Sequence, residues 1–141
     1  MLIREFISEA NKSQMITTLL KHYKVGNVRV KLKSMKDHAH YNVDTGTLEL
    51  STRYKTIKSS QVKEFLITIL HEIRHAMDSK KYGWKKFKSM YEMEIAQWQA
   101  ENPNKNADNW YDYISFETEA EEFGQNYWKK WNTQFKKEGL I

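Results

Sequence analysis

The hydrophobic residues of this chain change period twice, and that order limits the folds open to it. Over residues 2–23, Leu2, Ile3, Phe6, Ile7, Ala10, Ile16, Leu19, Leu20 and Tyr23 recur at helical spacing, with the polar run Asn11–Gln14 as a break point. After Gly26 the period drops to two. Val28, Val30 and Leu32 alternate with Arg29, Lys31 and Lys33, the pattern of a half-buried strand. Residues 38–43 and 47–52 read as two more short strands joined by the turn Asp44-Thr45-Gly46. From about Ser60 the helical period returns. Val62, Phe65, Leu66, Ile69, Ile73 and Ala76 form one stripe running to about Ser79, and Gly83 is a stop signal. A third helix is predicted over 84–100, a loop over 102–106, and a last helix over 111–136 with the stripe Phe116, Ala120, Phe123, Tyr127 and Trp131. Helix, strands, then helices predicts one α+β domain over 1–141, with a short three-stranded, mostly antiparallel sheet and about four helices.

Composition removes several classes of function. There is no cysteine, so disulfide frameworks and thiolate metal sites are excluded. A transition metal held by these side chains must rest on histidines and carboxylates. No apolar run approaches the length of a membrane span, and the acids within the first ten residues do not suit a secretory signal. The expectation is a soluble, cytoplasmic domain. Its 23 Lys+Arg against 18 Asp+Glu give a formal charge of +5, a mild excess that a solvated lysine surface accounts for.

The chemistry is concentrated at residues 71–75, His-Glu-Ile-Arg-His. Histidines four apart on a helix share a face, so both imidazoles reach one metal ion. Glu72, offset by about a quarter turn, lies beside such a metal as the base toward its water, the HExxH arrangement of zinc hydrolases. The stripe Val62, Ile69, Ile73 and Ala76 points away from His71 and His75, while Glu64, Thr68 and Asp78 share their face, as on the floor of a cleft. No histidine follows His75, which excludes layouts with a downstream third His. His22, His38 and His40 remain formal third ligands. A carboxylate fits better, and Glu117 and Glu121 are four apart on one face of the last helix. Gly124 follows on that face, where a missing side chain lets another element approach.

HExxH followed on a later helix by Glu117-Thr118-Glu119-Ala120-Glu121 resembles the gluzincin metallopeptidases. It is similar to minimal ImmA/IrrE-type proteins, to the core of HtpX-like proteases and to short phage-encoded zincins. The resemblance covers roughly residues 38–128. It implies a zincin-like domain with one catalytic Zn2+ held by His71, His75 and Glu117, and with Glu121 in support. Glu121 stands where that family usually has Asp or Asn. The implied activity is peptide-bond hydrolysis with Glu72 as general base, in the cytoplasm (a host's, if phage-encoded). The substrate would be a protein or peptide lying along an edge strand near residues 47–52. Tyr82, Tyr91, Tyr111, Tyr113 and His40 are candidates to stabilise the developing oxyanion, and Asp78 or Glu121 to accept a proton from a ligating histidine. Two rival readings are a non-catalytic zinc-binding module and a weak nucleic-acid binder using Trp84-Lys85-Lys86 and Trp128-Lys129-Lys130-Trp131.

Overall fold

A computed structural model describes residues 6–141. The chain runs β1 (Phe6–Ile7), α1 (Glu9–His22), β2 (Arg29–Lys33), β3 (Ala39–Asn42), β4 (Thr47–Ser51), β5 (Ile57–Lys58), α2 (Val62–Tyr82), α3 (Trp84–Glu101) and α4 (Ser115–Lys137). Short 3-10 turns occupy Thr52–Tyr54, Ser59–Gln61 and Ala107–Asp112. The α+β class stands. No helix among the described residues is long and apolar enough to cross a membrane.

Several boundaries differ from those the sequence suggests. The first helix starts at Glu9, not residue 2, because the Ser8 side chain accepts a hydrogen bond from the Asn11 amide and caps it. The run Asn11–Gln14 is therefore its first turn rather than a break. Phe6 and Ile7 instead pair antiparallel with Lys58 and Ile57, a second small sheet; residues 1–5 lie outside the described residues. Lys12 is buried, its Nζ donating to the carbonyls of Tyr54 and Lys55 at 3.1 and 3.0 Å and pairing with Glu9 at 2.9 Å. This ties α1 to the turn after β4.

The main sheet has the order β2-β4-β3. Its β3–β4 pairing is antiparallel, but β2–β4 is parallel, so the sheet is mixed rather than mostly antiparallel. The hairpin forms as its turn residues imply. Gly46 takes φ +65°, and the Asn42 side chain accepts from the amides of Asp44 and Thr45. β2 is not half-buried. All five of its residues are exposed, including Val30 and Leu32. Its apolar face borders an open groove beside α1.

Helix α2 is the spine of the core. Phe65, Leu66, Ile69, Leu70 and Ile73 are fully buried, each contributing roughly 1.5–3 kcal/mol of apolar burial. Gly83, at φ +84°, ends the helix and turns the chain into α3. Helix α4 packs along α2 through Phe123, Trp131 and Phe135; Tyr127, expected in that stripe, is exposed. At Gly124 the two helices come so close that a Cβ would stand 2.8 Å from the Ile67 carbonyl oxygen. This approach sets the rotation of α4 and hence where its acids point.

Candidate metal centre and cleft

The polar face of α2 forms the floor of an open cleft of about 1200 Å³. Glu64, Thr68, His71, Glu72 and His75 line it in helical order. Residues 36–44, including β3, form one wall. Phe87 and Tyr91 from α3, Trp110 and Tyr111 from the following turn, and Glu117 and Glu121 from α4 complete it.

His71, Glu72, His75 and Glu117 are all buried at the bottom. Glu117 Oε1 lies 2.8 Å from His71 Nε2 and 2.9 Å from His75 Nε2. A Glu72 oxygen lies within 4.8 Å of nitrogens from both histidines. The protonation of His71 follows from chemistry. Its Nδ1 is 3.2 Å from Glu121 Oε2, and a carboxylate only accepts, so Nδ1 carries the proton. By the same rule Nε2, 2.8 Å from Glu117 Oε1, donates as well, so without a metal the His71 ring is an imidazolium; a cation in place of that second proton would leave Nδ1–H on Glu121.

Two imidazole nitrogens and one carboxylate oxygen aimed at a common point need positive charge among them. Protons can supply it, and the ionisation pattern registers that demand. Burial works to lower the His71 pKa, but the Glu117 hydrogen bond and the charges of Glu72 and Glu117 prevail and raise it. Burial likewise works to raise Glu117. Hydrogen bonds from His71 and His75, the His75 charge and the Tyr91 hydroxyl hold it well below the usual carboxylate range. A divalent cation meets the same demand, and the residues fit one. The donor set is two nitrogens and an oxygen without thiolate, and the ring of one histidine is oriented by an outer carboxylate.

The structure brings together all four residues singled out for the centre, Glu72, His71, His75 and Glu117, with Glu121 on the outer side of His71. It separates others. His22 packs edge-on against Tyr23 and Trp131, away from the cleft. His38 and His40 line the cleft but do not join the convergence on Glu117. Asp78 pairs with Arg74 at 3.5 Å and accepts from neither histidine: His71 Nδ1 faces Glu121, and buried His75 Nδ1 has no hydrogen-bond partner among the described residues. Tyr82 and Tyr113 lie off the cleft, Tyr113 stacked on Trp98. Tyr91 donates to Glu117 Oε2 and stacks on Phe116. Tyr111 is more exposed, with its hydroxyl 3.4 Å from His71 Nε2.

Two features were not read from the sequence. Residues 47–51 are not an edge: β4 is paired on both sides, by β2 and β3. The edge facing the cleft is β3. The Ser51 amide donates to the His38 carbonyl, so His38, His40 and Asn42 bond to β4 by the two-residue alternation. The main-chain groups of Ala39 and Tyr41 are left pointing outward. The second feature is a polar network at the far end of the cleft. Buried Tyr54 donates to Glu64 at 2.8 Å, and His38 sits between Tyr54 and Arg53. Tyr54 lies in a stretch whose sequence has no periodicity to point to it.

Comparison with protein-family models, curated proteins and solved structures finds no match to this chain.

Proposed function

We propose that the protein is a zinc-dependent endopeptidase built on a zincin-like domain, with His71, His75 and Glu117 as zinc ligands and Glu72 as general base. One observation carries the reading: both imidazoles and one carboxylate oxygen meet at a single point on the floor of an open cleft, with Glu72 beside them. Zinc bound there supplies Lewis acidity toward the attacking water and the scissile carbonyl. Glu72 takes the proton from the attacking water and delivers it to the leaving amine. Burial raises the pKa of Glu72, the two imidazoles pull it down, and Glu117 adds to the rise. A carboxyl so balanced suits both halves of the proton transfer.

Tyr91 is committed to Glu117, which leaves Tyr111 and His40 in the cleft; the Tyr111 hydroxyl, 3.4 Å from His71 Nε2, is the one we assign to donate to the developing oxyanion. The substrate is an unfolded segment that adds antiparallel to the outer edge of β3 through the main chain of Ala39 and Tyr41. Of the aromatics named for nucleic-acid binding, Trp131 is buried in the core, while Trp84 is exposed and Trp128 half-buried.

The test is zinc content and turnover measured together. One equivalent of zinc is expected in the wild-type chain and none in His75→Ala or Glu117→Gln. Glu72→Gln should keep zinc and lose cleavage of a denatured casein. Zinc retained in Glu117→Gln, or cleavage surviving Glu72→Gln, overturns the assignment.

A further inference from the structure

Resting on the peptidase reading, we infer that Glu64 forms a subsite for a lysine or arginine of the substrate, about three residues to the carboxyl side of the cut bond.

The first argument is how Glu64 is held. The Arg53 guanidinium, which can only donate, lies 3.0 Å from His38 Nε2. That nitrogen must accept, so the proton of the neutral ring sits on Nδ1. His38 Nδ1 faces Tyr54 Oη at 2.5 Å and Glu64 Oε1 at 3.2 Å, and Tyr54 Oη also donates to Glu64 Oε1. Tyr54 is fully buried, which makes it a rigid donor. Glu64 is thus fixed by neutral groups. Among the described residues, no Lys or Arg nitrogen lies within 4 Å of it. Its side chain keeps 45% of its exposure and lines the cleft. The result is a pre-oriented carboxylate with an unmet charge, open to a ligand.

The second argument is register. Glu64 and His71 are seven residues apart on α2, about 10 Å along the axis at 1.5 Å per residue. An extended peptide advances about 3.3 Å per residue, so Glu64 lies about three substrate residues from the metal centre. Direction follows from β3. His38, just before the strand, touches Glu64, while Asp44, after it, pairs with Lys88 at the opposite, aromatic end. A strand antiparallel to β3 therefore lays its C-terminal half over Glu64.

The test uses synthetic decapeptides in which one lysine is walked along an otherwise neutral sequence. Each is assayed for cleavage by the zinc-loaded chain and for binding, by fluorescence anisotropy, to the zinc-loaded Glu72→Gln chain. The wild type should prefer lysine three residues after the cut by roughly two- to fivefold over glutamine. Glu64→Gln should abolish that preference, and Glu64→Lys should transfer it to a glutamate peptide. Cleavage with no lysine preference, a preference unchanged in Glu64→Gln, or one on the amino side of the cut overturns the subsite and leaves the peptidase reading standing. Absence of cleavage with a Glu64-dependent lysine preference in binding overturns the peptidase reading and supports the subsite.

Discussion

Gly124 of α4 and Ile67 of α2 meet so closely that a Cβ on Gly124 would lie 2.8 Å from the Ile67 carbonyl oxygen. Glu117 is seven residues earlier, two turns along the same face of α4. The contact is therefore both a packing feature and a gauge for the metal centre. Gly124→Ala gains up to about 1 kcal/mol of helix propensity, but the clash is with main chain and no rotamer relieves it. Overpacking of this kind costs about 1–3 kcal/mol, so the clash wins. The variant should be less stable in urea. It should also bind zinc more weakly, because α4 must move Glu117 away from the histidines. Weaker zinc binding without lost stability, or the reverse, would uncouple the two roles.

The ionisation of His71 and Glu117 sets a pH window for the metal-free chain. The ordinary values of 6.5 for the imidazole and 4.5 for the carboxyl describe the unfolded state. His71 is raised on folding, so its contribution is complete below 6.5 and is lost as pH rises through the higher folded value. Glu117 is lowered, so its contribution is complete above 4.5 and is lost as pH falls through the lower folded value. Both are present between about 4.5 and 6.5. Glu72, raised mainly by burial, also opposes stability as pH climbs above its ordinary 4.5. Thermal melts in EDTA should peak at mildly acidic pH. Zinc must displace the protons that stabilise the metal-free form there, so its stabilising effect should be larger at pH 8 than at pH 5.5. A zinc effect that is constant with pH would show that the imidazoles are not its ligands.

What the sequence revealed follows from which forces are local. The α2 stripe and the paired histidines lie on one helix, so their spacing sufficed to set core face against cleft face. The two-residue strands β1 and β5 are too short to carry a period, and they form only because distant segments meet. Val28, Val30 and Leu32 alternate like a buried strand, but burial depends on what covers that face, and α1 leaves a groove there. The central position of β4 is a matter of long-range pairing. Local pattern cannot tell that β2 joins it in parallel, which is why residues 47–52 look like an edge when they are not. Glu117 and Glu121 were visible as a pair. Their division of labour depends on the rotation of α4, fixed at Gly124.

Tyr91 and Tyr111 should separate when each loses its hydroxyl. Tyr91 braces Glu117 from an aromatic cluster with Phe87, Phe116 and Trp110. Tyr91→Phe removes that brace and should weaken zinc binding roughly tenfold or more in a chelator competition. Tyr111→Phe removes only a long contact, 3.4 Å from His71 Nε2, and keeps the Tyr91 brace, so zinc affinity should fall less than in Tyr91→Phe. Its loss should fall on kcat, on the order of a hundredfold if the hydroxyl stabilises the oxyanion. Equal effects of the two variants on zinc and on kcat would argue against this division.

The β3 edge can be tested through its main chain alone. Ala39 is half-buried at the start of the strand, and its amide points away from β4 toward the cleft. Ala39→Pro removes that donor without deleting a ladder hydrogen bond, which an edge strand tolerates. His40→Pro is the opposing control, since its amide belongs to the ladder with Glu49. A single main-chain hydrogen bond to substrate is worth about 0.5–1.5 kcal/mol, or roughly two- to tenfold. Ala39→Pro should therefore raise KM by that factor while zinc content and melting temperature stay near wild type. His40→Pro should lower the melting temperature. If Ala39→Pro leaves KM unchanged while the chain remains folded and zinc-loaded, the substrate does not pair with β3, and the antiparallel lay that orients it over Glu64 is lost as well.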